Sequence, residues 1–320
     1  MQYIRVASRG DGSNPADLRW SRRGLRAVVR DVRPQLLHVV GDPWTPTAEA
    51  GAAAARDLKI PYVLVGTSSV GGPRGLTSRW QSDRIRGGAA ALAGTVRPAL
   101  EHLLGGASTP RPNAVLPVGG LAIPAAPGTR PDPDPVVFAS VGRLVPERGI
   151  DLLLDALSDS FGDWRLRIAG TGPAHEELEQ QAQRLGLSSR IEWLGAMPRS
   201  DLPAFWREVD VVVAPSRSTP EWVEPTGAVV LQAMAHAVAP VVSRCGALPD
   251  VVGEAGLVVD ENESAALSRA IQGLLADPPR IRAIGNAARQ RVLEQQGDGP
   301  VAERMVLLWK RALEGPAYTP

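Results

Sequence analysis

Apolar runs of three to six residues alternate with helix-like segments throughout the second half of this chain. Strands buried on both faces read as continuous apolar runs, and neighbouring parallel strands are joined by a crossover that is usually a helix. The alternation therefore predicts a parallel sheet with helices on both of its faces. The predicted strands are 136–141, 165–169, 191–194, 209–214, 239–243 and 257–259.

Helical periodicity fills the gaps between these strands and the end of the chain. Helices are expected at 149–157, from the turn at 170–173 to about 185, at 199–207 and after Glu224. Further helices are expected at 263–276, 279–296 and 301–313.

The first half shows the same kind of alternation with fewer strands. Strands are predicted at 36–40, 62–66, 92–95 and 114–116, with a weak candidate at 3–7. Helices are predicted at 18–33, 47–58 and 97–104. The whole chain is therefore expected to be an α/β protein, and its 320 residues are enough for two domains.

A segment rich in Pro and Gly interrupts the pattern between residues 117 and 135. Such a composition, with no helical period, is typical of an interdomain linker. We expect a first domain over residues 1–125, a linker over 126–135 and a second domain over 136–320. The last helix of the second domain could pack back on the first domain.

The net charge of +1 conceals an asymmetry. Residues 1–130 carry 17 Lys and Arg against 8 Asp and Glu, whereas residues 131–320 carry 18 against 26. This suggests an anionic partner for the first half or attraction between the halves. Chance variation of surface composition is the alternative. We expect no nucleic-acid partner.

Cysteine and histidine usage limits the chemistry of the chain. The sequence has one cysteine, Cys245, and four histidines without the spacing of metal ligands. We therefore expect no disulfide, no metal and no cofactor. The start of the chain lacks the apolar segment of a signal peptide, and no apolar run approaches the roughly 20 residues that span a bilayer. A cytoplasmic protein is expected, and the scarcity of lysine favours a GC-rich bacterial source.

Arginines recur along the helix predicted at 18–33, with apolar residues between them. A basic amphipathic helix of this kind can lie peripherally on an anionic membrane, here at its inner face. The alternative is a solvated helix whose apolar side packs on the sheet. The candidate membrane contacts are Arg19, Arg22, Arg23, Arg26 and Arg30.

Four loops of the second half follow predicted strands, and ligands of open parallel sheets sit at the carboxyl ends of the strands. Arg143 and Arg148 lie in the first loop, where guanidinium groups can grip a diphosphate. A turn from Gly170 to Gly172 forms the second and permits close backbone approach. Residues 195–197 form the third and could border a flat ring such as a nucleobase. Solvated arginines and ordinary turns are the plainer interpretation of each loop alone.

The fourth loop leads into a helix that opens with Glu224-Pro-Thr-Gly. The unpaired N–H groups and positive dipole end of a helix N-terminus suit a phosphate. Residues eight apart on a helix lie on nearly the same side, so Glu224 and Gln232 are expected to line one wall of a site. An ordinary capped helix between two strands is the alternative. Trp222 could stack on a sugar face or anchor the loop.

Five segments together resemble the donor half of GT-B glycosyltransferases of family 4. They are VGRLVPERGIDLLLDAL, LRIAGTGP, IEWLGAMP, VVVAPSRSTPEWVEPTGAVVLQAMA and APVVSRCGALPDVVGEAGLVV. LLHVVGDPWTPTAEAGAAAARDLKIPYVLVG resembles the acceptor domain more loosely. The resemblance implies two Rossmann-like domains that face each other across a cleft, with the N-terminal domain incomplete. It also implies a retaining, metal-independent transfer of a hexose from a nucleoside-diphosphate sugar to a glycan, lipid-linked or small-molecule acceptor.

The resemblance further implies roles for residues at matching positions. Glu224 would contact the donor sugar as the catalytic residue, and Gln232 would bind the ribose. The implied diphosphate contacts are Arg143, Arg148, Thr226, Gly227 and Ala228. The implied nucleobase side and donor loop consist of Gly195, Ala196, Met197, Gly142 and Gly172.

Departures from the family pattern leave alternatives open. Position 232 is normally a Glu, the first half begins about one βαβ unit late, and Thr67-Ser-Ser69 replaces a frequent His. One alternative is a non-catalytic partner protein that binds a sugar nucleotide, and another is an epimerase or hydrolase on the same fold. A start codon assigned too late would also explain the short first half.

Overall fold

A computed structural model of the chain describes residues 8–9, 19–68, 71–72, 75–105, 111–117, 121, 123–125 and 133–314. Its contacts divide the chain into two units. The first unit takes in the chain up to Val118 together with the segment from Val301, and the second takes in Gly119–Pro300. The elements are, in chain order, β1 (Ser8–Arg9), β2 (Arg19–Trp20), α1 (Arg22–Val32), β3 (Leu37–Val40), α2 (Pro46–Leu58), β4 (Tyr62–Gly66), α3 (Leu76–Gly87), β5 (Ala91–Gly94), α4 (Arg97–Leu104), β6 (Asn113–Val115), β7 (Val136–Val141), α5 (Ile150–Ser158), β8 (Trp164–Ala169), α6 (His175–Arg184), β9 (Ile191–Gly195), α7 (Leu202–Trp206), β10 (Val211–Ala214), α8 (Ala228–Ala235), β11 (Ala239–Ser243), α9 (Leu248–Val252), β12 (Leu257–Val259), α10 (Ser264–Leu275), α11 (Pro278–Gln295) and α12 (Asp298–Glu314).

The second unit is built on a six-stranded parallel sheet with the order β12-β11-β10-β7-β8-β9. The chain moves from β7 out to β9 and then returns to the other side of β7 through β10. The direction of winding reverses between β7 and β10. Ligands of doubly wound sheets bind in the crevice at such a reversal, outside the carboxyl ends of the strands.

Both faces of this sheet are buried, as the apolar runs predicted. Successive side chains of a strand point to opposite faces. Val211 and Val213 of β10 accordingly join one core cluster, which α5, α6 and α10 cover, while Val212 joins another beneath α7 and α8. The prediction of a parallel sheet with helices on both faces is therefore confirmed for this unit.

The first unit has a four-stranded parallel sheet with the order β3-β4-β5-β6. Alternate residues of the fully buried strand β4 face two cores. Tyr62 and Leu64 pack with alanines of α2, and Val63 and Val65 pack with α12. Trp309 of α12 also donates its Nε1–H to His38 Nδ1 of β3 at 3.0 Å. The C-terminal helix therefore belongs to this unit.

The helix predicted at 18–33 was wrong at its beginning. Arg19–Trp20 forms a strand that pairs antiparallel with Ser8–Arg9, and α1 starts at Arg22. Ser21 sets this start because its side chain accepts a hydrogen bond from Gly24 N at 3.2 Å, as an N-cap does. The strand candidate at 3–7 lies outside the described residues, and so does most of the segment predicted as a linker.

Two helices, α3 and α9, were not predicted from the sequence. In α3 only Ser82 and Ile85 are buried, so no apolar stripe marks it, and its N-cap residue Gly75 offers no capping side chain. The five-residue helix α9 is too short to show a period. No helix among the described residues combines the length and hydropathy that a membrane span needs.

Candidate functional site

A cavity of about 170 Å³ lies at the carboxyl edge of the second unit's sheet, between the ends of β7 and β10. We call it the Glu224 cavity. It occupies the place where the winding of the sheet reverses, which is where a ligand site was expected. Its polar lining consists of Ser140, Arg148, Ser216, Glu224 and Thr226, with Gly227 and Ala228 at the start of α8.

Glu224 is buried, and three contacts fix it at this position. Its Oε1 accepts a hydrogen bond from Gly227 N at 3.1 Å. Its own N–H donates to Cys245 Sγ at 3.4 Å, and its carbonyl oxygen accepts from Ala247 N at 2.9 Å. The loop that follows β11 therefore fixes the Glu224 backbone, and Gly227 N fixes the carboxylate at the N-terminus of α8.

The expectation that Glu224 and Gln232 share one side of a helix was wrong. The helix α8 begins at Ala228, so Glu224 lies in the loop before it and helical periodicity does not relate the two residues. Gln232 does not line the Glu224 cavity. Its Oε1 is buried and finds no hydrogen-bond partner in the part of the chain that the structure describes. Whether Gln232 contacts a ribose stays a prediction.

Arg148 brings the second predicted charge into the cavity. Its guanidinium group contacts the Glu224 carboxylate, and its Cζ lies 5.2 Å from the centroid of the Trp222 ring. Stacking of a cation on an aromatic face stabilises the cation at this distance. Trp222 therefore packs on Arg148 in this structure, an arrangement the sequence interpretation did not consider.

A left-handed glycine places Arg148 beside the loop after β10. Gly149 has a φ of +67°, and a Cβ there would lie 2.0 Å from the carbonyl oxygen of Pro215. Only glycine allows both this backbone conformation and this close approach. The 3-10 turn Pro146–Arg148 ends at this residue.

Two further glycines let the turn after β8 lie against the loop after β7. A Cβ on Gly170 would lie 1.7 Å from the carbonyl oxygen of Gly142, and one on Gly172 would lie 2.2 Å from that of Leu144. Leu144 N donates to Thr171 O at 2.9 Å across the same contact. A Cβ on Gly142 would lie 3.6 Å from Arg148 Nε. These glycines hold two loops together at the edge of the sheet.

The start of α8 supplies amides that are already partnered. Gly227 N bonds the Glu224 carboxylate, and Ala228 N donates to Thr226 Oγ1 at 3.3 Å. Gly227 itself is left-handed, with a φ of +60°. A phosphate that bound these two amides would replace acceptors that belong to the protein.

The remaining predicted residues lie near the same edge but outside the cavity lining. Arg143 and Ala196 are both exposed. Met197 packs into the core beneath α7. Gly195 has a φ of +63°, and its carbonyl oxygen accepts a hydrogen bond from Gly170 N at 2.6 Å. Their predicted contacts with diphosphate and base stay predictions.

Three residues of the site were missed from the sequence. Ser140 and Ser216 line the cavity, and Cys245 lies beneath Glu224. Ser216 is fully buried, and its hydroxyl has no hydrogen-bond partner within the described ranges, while its carbonyl oxygen accepts from the Ser243 hydroxyl. The available signal was a polar residue inside an apolar run for Ser140, and one shortly after an apolar run for Ser216.

Burial raises the pKa of the Cys245 thiol, because the thiolate is poorly solvated there. The nearby N–H of Glu224 and hydroxyl of Ser218 act in the opposite direction but are the smaller effect. Cys245 is therefore a protonated thiol that packs beneath Glu224. No group of three or more His, Cys, Asp and Glu side chains within the described ranges is placed to hold a metal ion.

In the first unit, Thr67 and Ser68 follow β4, at the place where the family that the sequence resembles often has a His. Their amides and hydroxyls donate four hydrogen bonds to the buried Asp42 carboxylate, at 2.9, 3.0, 3.1 and 2.6 Å. This bonding ties together the carboxyl ends of β3 and β4. Ser69 lies outside the described residues.

The arginines of α1 are exposed where their side chains are described. Arg22 contacts Glu49, and Arg26 lies 3.4 Å from Asp57, so two of them pair with acids of α2. The buried residue of α1 is Val29. This side-by-side packing of two helices accounts for its apolar face, and membrane contact stays a prediction. The side chain of Arg19 lies outside the described part.

A model of the family described as Glycosyl transferases group 1 matches residues 126–291, just over half of the chain. The GDP-mannose-dependent alpha-(1-6)-phosphatidylinositol monomannoside mannosyltransferase of Mycolicibacterium smegmatis is 36% identical over 168 residues, which cover 50% of this chain and 44% of that protein. The D-inositol 3-phosphate glycosyltransferase of Segniliparus rotundus is 32% identical over 202 residues, 59% of this chain and 43% of that protein. The chain spans less than half the length of these relatives in each match.

Solved structures give the same fold over most of the chain. The Anabaena protein Alr3699/HepE in complex with UDP aligns with a TM-score of 0.74 and 18% identity, over 90% of this chain and 81% of that one. A glycosyltransferase from Rickettsia africae aligns with a TM-score of 0.72 and 14% identity, over 96% and 84%. At these identities the likeness establishes the fold alone: α/β of the GT-B type, with two parallel sheets that correspond to two Rossmann-like domains. Together with the match of the family model, this shows that the chain belongs to the group 1 glycosyl transferases.

Proposed function

We propose that this protein is a retaining glycosyltransferase that moves a hexose from a nucleoside-diphosphate sugar to a glycan, lipid-linked or small-molecule acceptor. The observation that carries the proposal is the Glu224 cavity. It joins a buried carboxylate, a guanidinium group and a helix N-terminus at the place where the sheet reverses its winding. The family membership of the chain supports the same reaction class.

The chemistry of the transfer assigns a task to each of these groups. As the bond between sugar and diphosphate breaks, negative charge develops on the leaving oxygen. Arg148, with Arg143 nearby in the same loop, would stabilise this charge, and the dipole of α8 adds to the effect. Metal independence is part of the proposal, because the guanidinium groups can stabilise the negative charge of the leaving diphosphate without a metal ion.

Glu224 would orient the donor sugar. Its Oε1 is held by Gly227 N and its Oε2 by Arg148, so the carboxylate has a fixed direction in the cavity. A diphosphate that drew Arg148 away would leave Oε2 to accept a hydrogen bond from a sugar hydroxyl. Pre-organised acceptors of this kind favour one bound geometry over others.

The names of two relatives guide the choice of substrates. One relative is GDP-mannose-dependent and acts on a phosphatidylinositol monomannoside, and the other is a D-inositol 3-phosphate glycosyltransferase. GDP-mannose is therefore the first donor to test, and acceptors that carry a phosphorylated inositol are the first acceptors. The proposed location is the cytoplasm, in peripheral contact with the inner face of the membrane.

The test is a turnover screen. The purified protein is incubated with GDP-, UDP- and ADP-sugars, with and without acceptors and with and without EDTA, and products are identified by mass spectrometry. Transfer that survives EDTA and is lost in both Arg148→Ala and Glu224→Gln supports the proposal. Release of free sugar or an epimer without acceptor would instead show a hydrolase or epimerase.

A non-catalytic sugar-nucleotide-binding partner is the second candidate function. Gln232 lies outside the cavity lining, and the amides of Gly227 and Ala228 are already partnered, which favours weak donor binding. Binding of a sugar nucleotide without turnover, with turnover appearing only when a second transferase is added, would favour this candidate.

A further inference from the structure

The first unit has a cavity of its own, of about 570 Å³, between α1, α2 and α3. We call it the arginine groove. The residues that matter for its chemistry are Arg22, Glu49, Arg56, Leu76, Trp80 and Arg84. Glu49 and Arg56 are seven residues apart on one side of α2, with the small Ala53 between them, and this leaves the groove open along its length.

The groove carries an excess of positive charge. Three guanidinium groups face one carboxylate, and that carboxylate, Glu49, contacts Arg22. Arg56 Nη1 is buried and has no hydrogen-bond partner among the described residues. A buried donor without an acceptor costs free energy, and a charged donor costs more. An anion bound at this atom would remove that cost.

The acids nearest in sequence do not neutralise the groove. Asp57 pairs with Arg26, and Asp83 pairs with Arg86. Arg84 has its Cζ 5.5 Å from the centroid of the Trp80 ring and, among the described residues, forms no ion pair. Arg56 and Arg84 therefore present two positive charges that no acid pairs with in the described part of the unit.

The edge of the groove is apolar. Leu76 and Trp80, in the first turns of α3, are 84% and 65% exposed. Large apolar side chains grouped at one exposed place indicate an interaction surface. A tryptophan with an apolar ring and a polar N–H suits the boundary between water and hydrocarbon.

We propose that the arginine groove binds the phosphate of an anionic lipid head group, with Leu76 and Trp80 entering the interfacial layer of the membrane. Charge complementarity selects the occupant, because two free guanidinium groups match a phosphate and the adjacent apolar edge matches the lipid that carries it. This site goes beyond the proposed transfer reaction, and it differs from the α1 arginines singled out in the sequence, of which only Arg22 lines it.

The experiment measures partition of the full chain onto vesicles of phosphatidylcholine with and without phosphatidylglycerol. We expect binding only to the anionic vesicles, weakened by salt. Arg56→Gln and Arg84→Gln should each lower the partition coefficient about fivefold, and Trp80→Ser should lower it by a similar factor. Arg79→Gln is the matched control, since Arg79 is an exposed arginine of α3 outside the groove lining.

Several outcomes would overturn the proposal. Absence of binding to anionic vesicles does so, and so does an equal loss in Arg79→Gln and Arg84→Gln, which would show attraction by general charge. Calorimetric binding of inorganic phosphate without vesicle binding would reject the lipid source. Melting temperatures and sugar-nucleotide binding of each variant show that it is folded. A wild-type protein that binds vesicles but no sugar nucleotide would remove the proposed transferase function and leave the groove assignment in place.

Discussion

The guanidinium group of Arg148 is paired with the buried carboxylate of Glu224, although each was expected to face the donor. The two residues are 76 positions apart in the chain. A donor diphosphate bound by Arg148, as we propose, would therefore have to compete with Glu224 for its guanidinium group. Because of this competition, substitution of Glu224 and substitution of Arg148 should change the affinity for a nucleoside diphosphate in opposite directions.

Glu224→Gln should separate binding from turnover. Removal of the competing charge frees Arg148, so the affinity for a nucleoside diphosphate should stay the same or rise. Turnover should fall by about 100-fold or more, because an oriented charge beside the reacting sugar is lost. Calorimetry and a product assay measure the two effects. Glu221→Gln, an exposed carboxylate of the same loop, is the control and should change neither.

Trp222→Leu should weaken binding of a nucleoside diphosphate by about fivefold, because the ring no longer supports the Arg148 guanidinium. Trp222→Phe keeps an aromatic face and should recover most of the affinity. Dissociation constants from calorimetry decide this. Trp80→Leu, which removes a tryptophan–arginine stack in the first unit, should leave the affinity unchanged. If Leu and Phe behave alike at position 222, the stacking has no role.

Gly149→Ala should strongly destabilise the second unit. The new Cβ would lie 2.0 Å from the Pro215 carbonyl oxygen at a φ of +67°. We expect a loss of more than about 2 kcal/mol in the free energy of unfolding, measured by denaturant titration. Gly186→Ala is a matched control, since its φ is +72° and no atom lies within 4 Å of the Cβ position. It carries backbone strain alone and should cost about 1 kcal/mol.

Ser216→Ala should leave the free energy of unfolding unchanged or raise it by up to about 1 kcal/mol, because it removes a buried hydroxyl that no described residue bonds. Ser160→Ala, which deletes a hydroxyl that donates to Ala156 O at 2.8 Å, should lower it by about 1 kcal/mol. Denaturant titrations compare the two. Clear destabilisation by Ser216→Ala would show that the hydroxyl has a structural partner.

The raised pKa of Cys245 predicts how stability depends on pH. The folded state holds the thiol proton more tightly than the unfolded chain does, so its contribution to stability is complete below the unfolded pKa of about 8.5 and is lost as pH rises through the folded pKa. Cys245→Ala should therefore flatten the decline of stability above about pH 8.5. In the native wild type, a thiol reagent should react slowly and accelerate only on unfolding, and rapid labelling of the folded protein would contradict the burial.

The α/β class, the strands of the second unit and the loops that form its edge could all be predicted from the sequence. Val136–Val141 and Val211–Ala214 are apolar runs because both of their faces are buried, and burial on both faces leaves a local signature. The glycines of the donor loops were also recognisable as turns. The start of α1 and the whole of α3 were not predicted, because Ser21 and Gly75 act through capping geometry and α3 buries almost no apolar side chain.

By itself, then, the sequence determined the strands and helices that show a periodicity of two or 3.6 residues, and the loops that follow those strands. It did not determine α3 or α9, which show no such periodicity. Only the tertiary structure decided that Arg148 pairs with Glu224 and that Gln232 lies outside the cavity lining. It also decided that Ser216 lines the cavity with a hydroxyl that has no partner among the residues described. These relationships join residues far apart in the chain. They follow from where packing sets each loop to within a few tenths of an ångström, a scale that no local periodicity encodes.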